Sequence, residues 1–443
     1  MNWGSVFGVA MAAGVIGAFA WSEAIARPKA STERIRITYW EKWTDFEGEA
    51  MRAVVDAFNA KQDRIFVDLL TVSGIQDKTL MAISAGTPPD VAGLFGPNVA
   101  QYVDDNAIIP LDKYCEEYGL TRDHYIPIYW DIGYYRNHIY ALPSTPASTA
   151  LHYNKRLLRE AGFDPNQPPE TIEELDAMAE KITVRDANGR FIRSGFLPSE
   201  PGWWNWGWLM VFGGQHWDGV DRITVTSPEA IRAYDWVQSY SKKYGVTEQQ
   251  QFRQGFGNFS SPQNAFLSEK VAMVLQGVWM YNFIDKFAPE LEWAAAPFPY
   301  PADRPDLRNS TFCDMDVLVI PRGAKHPNEA FEFIAFVQSQ EGMELLCMGQ
   351  RKHSPLAKVS DEFIRNHPNP YIQLFTDLAK SPSAVRPPQI GIWPEFQAEL
   401  SNAYDQVNLM QKTPQEAMDY LQGRMQPKLD RYLGNLRARG VIE

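Results

Sequence analysis

The sequence predicts an α/β protein of two lobes, and three observations carry that expectation. From Arg34 onward, apolar residues recur first with period two and then at helical spacing, so strand and helix alternate. At 443 residues the chain exceeds what one ordinary core accommodates. Between Leu142 and Tyr153 an extended apolar segment is interrupted by Pro143 and Pro146 and then resumes, the pattern of a strand that leaves one domain and enters another.

The elements follow in order. Ile35, Ile37 and Tyr39 mark a strand, and Ala50, Met51, Val54, Val55 and Phe58 mark the helix after it. Thr44 and Glu47 have the spacing of a capping box, which makes Trp40 to Trp43 an exposed loop at the strand's carboxyl end. Ile65 to Leu70 is a second strand, Ile75 to Ala85 a helix stopped by Gly86, and Asp90 to Phe95 a third strand. This alternation implies parallel pairing in a doubly wound sheet. Past the proline-interrupted strand come a short helix ending at Gly162 and a capping box, Thr171 with Glu174. Asn188-Gly189 turns a hairpin. Helices are expected at Pro228 to Tyr244, Pro327 to Gln338 and Glu341 to Met348. Thr413-Pro414-Gln415-Glu416 opens another with a capping box and proline at its first position.

A formal net charge of −12 argues against a nucleic-acid role. Val6 to Trp21 has the length of a secretory apolar core, and Ala24-Ile25-Ala26 supplies a small-residue cleavage site. Residues 1–26 therefore read as a signal peptide removed after Ala26, with a periplasmic product whose net charge is −11. No Lys or Arg precedes the apolar run, so an uncleaved anchor is the alternative. Cys115, Cys313 and Cys347 are too few and too scattered for a disulfide framework or a zinc site, and no cofactor is implied.

Several motifs carry a resemblance. Ile83-Ser84-Ala85-Gly86-Thr87-Pro88-Pro89-Asp90-Val91, then Phe266-Leu267-Ser268-Glu269-Lys270-Val271-Ala272-Met273 with Gly277-Val278-Trp279, then Ile320 to Pro327 with Ala330, Phe331 and Phe333, occur in the order found in the extracellular solute-binding proteins, family 1, of sugar ABC importers. The segment from Tyr140 to Leu175 resembles that family's first interlobe crossover. The resemblance implies a type II periplasmic binding protein fold, each lobe a doubly wound sheet, with crossovers near Pro143 to Ser148, Val274 to Gly277 and Cys313 to Val319. It places 34–145 and 275–316 in the first lobe, and 146–274 and 317–443 in the second. It further implies a monomer that delivers a carbohydrate to ABC permease subunits. No phosphate-binding glycine loop occurs, so the ATPase is expected to be a separate subunit.

Fourteen tryptophans, many of them clustered, suit a carbohydrate, whose C–H face packs on indole while its hydroxyls seek polar partners. Trp40 and Trp43 are candidates from the first loop, and Trp203, Trp204 and Trp206 from the second lobe. If Trp203 and Trp204 lie on an extended segment they point to opposite faces, and only one meets ligand. By the resemblance, Trp279 and Trp393 match tryptophans that stack on ligand in relatives of the maltose-binding type. Asp314 and Asp316 share one strand face, where specificity is expected to be decided; bonds to hinge amides or an arginine are the alternative. Glu41, Ser144 and Ser148 are further hydroxyl partners, and Arg351 is a candidate for an anionic ligand group. Two other functions stay open: the same scaffold binding a polyamine or amino acid, and a glycoside hydrolase using Glu41 with Asp314 or Asp316. The absence of other catalytic signatures favours a non-enzyme.

Overall fold

A computed structural model describes residues 34–442. The signal peptide over 1–26 lies outside the described residues.

Strands β1 (Ile35–Glu41), β2 (Ile65–Thr71) and β3 (Val91–Phe95) pair in parallel, with β1 in the middle. Helices α1 (Asp45–Lys61) and α2 (Ile75–Ser84) connect them, as the alternation predicts. β1 buries Ile37 and Tyr39 on one face, and α1 lays Met51, Val54, Val55 and Phe58 into the same core. The predicted capping box at the start of α1 does not form. Thr44 occupies the N-cap position without a side-chain bond, and the Glu47 carboxylate goes instead to the Lys352 ammonium at 2.7 Å. A charge-assisted bond between partly buried groups outweighs one more bond to a helix-end amide.

The proline-interrupted segment is one continuous strand, β4 (Leu142–Asn154). Its first half pairs antiparallel with β7 (Thr311–Val319). Its second half pairs with β5 (Met273–Gly277) and with β6 (Trp293–Ala296). Pro143 is tolerated because the β4–β7 register shifts between Asp316 and Val317, leaving Ser144 unmatched beside it, whereas Pro146 stays in register opposite Met315. The Pro143 carbonyl is satisfied by the side chain of Gln338 at 2.8 Å. A short strand, β8 (Ala384–Val385), adds to the outer end of β7.

The buried clusters divide the chain differently from the predicted lobes. Ile37, Tyr39, Val67 and Leu142 pack with Leu318, Phe331, Phe333, Leu346 and Phe363 in one core, to which α3 (Pro327–Gln338) and α4 (Gln340–Gln350) belong. Leu151, Trp208, Trp236, Met273, Leu275 and Ala294 pack with Trp393, Phe396, Leu421 and Leu429 in another, which includes α5 (Trp393–Asn408) and α6 (Pro414–Ala438). Residues near 275–296 thus side with the second core, and 318–363 with the first. β5 does not cross between cores, whereas β4 and β7 both do: Leu142 and Leu318 lie in the first, Leu151 and Phe312 in the second. The motif Ile320 to Pro327 is the turn between β7 and α3, and sequence order alone does not tell which side of the crossover the helix packs against.

The capping boxes at Thr171 and Thr413 are both formed, and Asn188-Gly189 sits in a turn between Val184–Arg185 and Phe191–Arg193. Among the described residues no helix is long and apolar enough to cross a membrane. Cys115, Cys313 and Cys347 are buried free thiols.

Candidate functional site

Where β4 and β7 pass between the cores, a cavity of about 450 Å³ opens, within the range of small-molecule sites. Trp43, Phe46 and Phe95 wall it from the first core's side, and Trp204, Trp206, Trp279 and Trp393 from the second's. Phe46 and Phe283 meet edge-to-face across it at 6.0 Å.

Trp43 is fixed by its polar edge. Its Nε1 donates to Asp316 Oδ2 at 2.8 Å, and its ring stands edge-on to Phe95. The same carboxylate oxygen accepts from Thr145 Oγ1 at 2.8 Å, and Oδ1 faces the Lys42 ammonium at 3.1 Å. Lys42 also reaches Glu41 at 3.3 Å and the Leu94 carbonyl at 3.3 Å. Burial disfavours this ammonium, but Asp316 and Glu41 outweigh the loss of water, and its pKa lies above the ordinary lysine value. The lysine is therefore charged, and its role is to hold two acids at the carboxyl end of β1.

Trp203 and Trp204 both line the cavity, against the expectation that only one would. The reason is local: Pro201 to Trp204 form an irregular bend with Gly202 at φ 90°, not an extended strand, so adjacent side chains need not alternate. Trp203 remains 40% exposed and packs edge-on to Phe259 at 4.4 Å. Trp204 donates to the Leu275 carbonyl at 2.9 Å and lies 5.5 Å from Phe312. Trp206 lies 5.2 Å from Phe312 and meets Trp393 edge-on at 5.8 Å. Trp393 is 1% exposed, and among the described residues its Nε1 has no hydrogen-bond partner.

Asp314 and Asp316 both line the cavity from β7. Asp314 uses Oδ1 to accept the Met315 N–H at 2.7 Å. Burial, and then the charge of Asp316, raise its carboxyl to about 7, against the pull of the Met315 amide and Lys42.

Five other candidates lie off the cavity lining. Trp40 packs beside Ile75 and Tyr102 on the outer face of the first sheet, since period-two alternation turns it away from Tyr39. Glu41 is 1% exposed and accepts from the Tyr39 hydroxyl and the Lys42 amide. With Glu41 enclosed, the acid/base pair considered for glycoside hydrolysis is not assembled at the cavity. Ser144 is buried at the strand irregularity, and Ser148 donates to the Phe375 carbonyl at 2.9 Å. Arg351 pairs with Asp285 at the rim, its backbone left-handed at the end of α4.

The sequence reading missed Phe46, Glu47, Phe312, Lys352 and Gln397, which also line the cavity. Phe312 was within reach, because it shares the strand face of Asp314 and Asp316. Lys352 was not: it lies about 300 residues from Glu47, its partner.

The profile of the bacterial extracellular solute-binding proteins matches residues 44–344. The chain belongs to this family. A periplasmic protein of Pectobacterium atrosepticum named for sn-glycerol-3-phosphate binding is 21% identical over 86% of this chain and 88% of its own. An ABC transporter extracellular-binding protein of Pyrococcus horikoshii is 26% identical over 75% and 74%. A mannotriose-bound binding protein, CpMnBP1, superposes with TM-score 0.76 at 27% identity, covering 88% of this chain and 99% of its own. The sugar-binding protein MalE of Xanthomonas citri does so at 0.76 and 18%, covering 91% and 99%. The fold of this solute-binding protein is thus the two-lobe, MalE-like one, and its relatives are binding proteins of ABC transporters.

Proposed function

We propose that this solute-binding protein captures a carbohydrate in the cavity between its two cores and hands it to the membrane subunits of an ABC importer, with ATP hydrolysed by a separate subunit. The observation that carries the reading is the wall itself: Trp43, Trp203, Trp204, Trp206, Trp279 and Trp393 surround a space edged by Thr145, Asp314, Asp316 and Gln397. Indole faces suit the C–H faces of sugar rings, and the acids and amide suit hydroxyls.

The cavity is poorly suited to a phosphate monoester, the ligand class in the name of several relatives. Among the described residues Lys352 is the one cation in the lining, and Glu47 already pairs with it. Lys42 lies behind Asp316, spent on two carboxylates. A phosphate would meet Asp314 and Asp316 with no free counter-charge.

The lobes are proposed to divide at β4 and β7, whose crossing forms the hinge, and to close on the solute as two-domain receptors do. Export with cleavage after Ala26 completes the reading; the mature chain would begin at Arg27, which mass spectrometry of the exported protein checks.

The test is a thermal-shift screen of residues 27–443 against neutral sugars, sn-glycerol 3-phosphate, amino acids and polyamines. Saturable stabilisation by neutral sugars is expected, because a ligand that binds only the folded state raises its stability. A shift with glycerol phosphate or amines alone would overturn the carbohydrate assignment.

A further inference from the structure

The polar groups facing the cavity are not equally occupied. Asp316 is saturated by Lys42, Trp43 and Thr145, and Glu47 by Lys352. Asp314 differs. Its Oδ1 is held by the Met315 amide and packs against Gly96, where a Cβ would come within 2.9 Å of it. Its Oδ2 has no protein partner among the described residues, although the side chain lines the cavity.

Among the described residues this acid has no ion-pair partner of its own. On β7 it neighbours Cys313 and Asp316. From the end of β1 comes Lys42, already shared between Asp316 and Glu41. From helix Pro127–Gly133 comes Tyr129, whose hydroxyl is engaged with His353 and the Ala147 carbonyl. Across a narrow cleft beneath Pro387 stands Arg386, whose own charge burial disfavours, with Asp131 acting against that loss. A closed lobe pair would therefore seal a carboxylate oxygen with nothing to bond, which is costly unless the solute brings a donor.

Resting on the carbohydrate reading, we propose that Asp314 is the specificity-determining residue of the site: its free Oδ2 accepts a hydrogen bond from a sugar hydroxyl, so capture requires this carboxyl to be ionised. In the free protein the carboxyl titrates at about 7. A hydroxyl donor stabilises the charged form, so binding lowers that pKa and expels a proton from the fraction of molecules that carry one. Capture then weakens in acid, by about tenfold between pH 8 and pH 6. Anionic sugars are rejected by the same oxygen.

Isothermal titration at pH 7 in two buffers of different ionisation enthalpy reads the proton directly, using the neutral mono- to trisaccharide, mannotriose included, that stabilises the protein most. The expected result is a fractional proton released per sugar bound, with affinity falling toward pH 6. Asp314→Asn, which can still accept the Met315 amide, should bind at least tenfold more weakly at pH 8 and show no proton release. Asp314→Glu should restore part of the pH dependence. Proton uptake on binding, or an unchanged pH profile in Asp314→Asn, would overturn the proposal while leaving the carbohydrate reading intact. Failure of every neutral sugar to bind would overturn both. The proton measurement on the unsubstituted protein stands even if the variants do not fold.

Discussion

Trp43 and Asp316, 273 residues apart, meet through a 2.8 Å hydrogen bond from indole Nε1 to carboxylate Oδ2. The bond ties the loop after the first strand to the strand that crosses between the cores, and it turns the indole ring toward the cavity. Trp43→Phe keeps an aromatic face but removes the donor, leaving that oxygen to Thr145 alone. Loss of a hydrogen bond to a charged group should cost about 2 kcal/mol of stability. Urea unfolding checks this, and a change under about 0.5 kcal/mol would mean that the bond contributes too little to hold the ring.

Gly277 ends β5 two residues before Trp279. A Cβ at Gly277 would stand 2.2 Å from the indole of Trp279, while its backbone is pinned by pairing with Thr149. Gly277→Ala should therefore push the ring rather than the strand. Ligand affinity is expected to fall roughly tenfold, about 1.4 kcal/mol, with tryptophan fluorescence altered in the free protein. Unchanged affinity would place Trp279 outside the recognition surface.

Local pattern made much of this legible. The strand and helix periods over 35–95 and the helices at 228–244 and 327–338 follow from residue spacing, because each element buries one face on a core. The aromatic loop at Trp203 and the acids Asp314 and Asp316 were likewise visible as composition in context. What did not show were long-range partners. Glu47 reads as a capping residue until Lys352 is beside it, and Glu41 reads as exposed until the Tyr39 hydroxyl encloses it. Residues 318–363, expected in the second lobe, pack in the first core for the same reason: a helix's apolar stripe states that it packs, not against what.

The two cores also touch away from the crossing strands. Asp104, at the end of helix Val99–Asp104, accepts from Arg136 at 2.8 Å and from the Tyr432 hydroxyl on α6, and its carbonyl accepts from Arg439 at 2.8 Å. Gln389 reaches the carbonyls of Asp131 and Ile132 at 2.9 and 2.8 Å. These bonds join helices packed on the first sheet to segments packed on the second core, so they are expected to favour the closure proposed above. Tyr432→Phe with Arg439→Ala should weaken ligand binding about three- to tenfold, a closure penalty near 1 kcal/mol. Small-angle scattering of the ligand-free double variant should show a larger radius of gyration. An unchanged radius together with unchanged affinity would sink the idea.

Acid should destabilise the ligand-free protein through three enclosed histidines. His152 and His216 are held down to about 4 and His353 to about 3, in each case by burial first, with positive neighbours adding to the effect at His353. Unfolded histidines titrate near ~6.5. The unfolded chain thus binds protons that the folded one refuses, so this stability is present above pH ~6.5 and is lost as the pH falls toward the folded values. Each histidine should cost about 2 kcal/mol by pH 5. Asp314 acts in the opposite sense, since its raised carboxyl favours the native state as the pH falls below about 7, and Asp105, Asp176, Glu200 and Asp405, also raised by burial, add to that opposition, so the histidine contribution is read by substitution and not from the net profile. His216→Gln, whose amide nitrogen reaches the position of Nε2 and can still donate to the Trp206 carbonyl, should reduce the loss between pH 7.5 and pH 5 by about 2 kcal/mol in urea unfolding. The slope with pH is the readout, because any packing defect shifts both measurements equally. An unchanged slope would mean that His216 takes up its proton without leaving the fold.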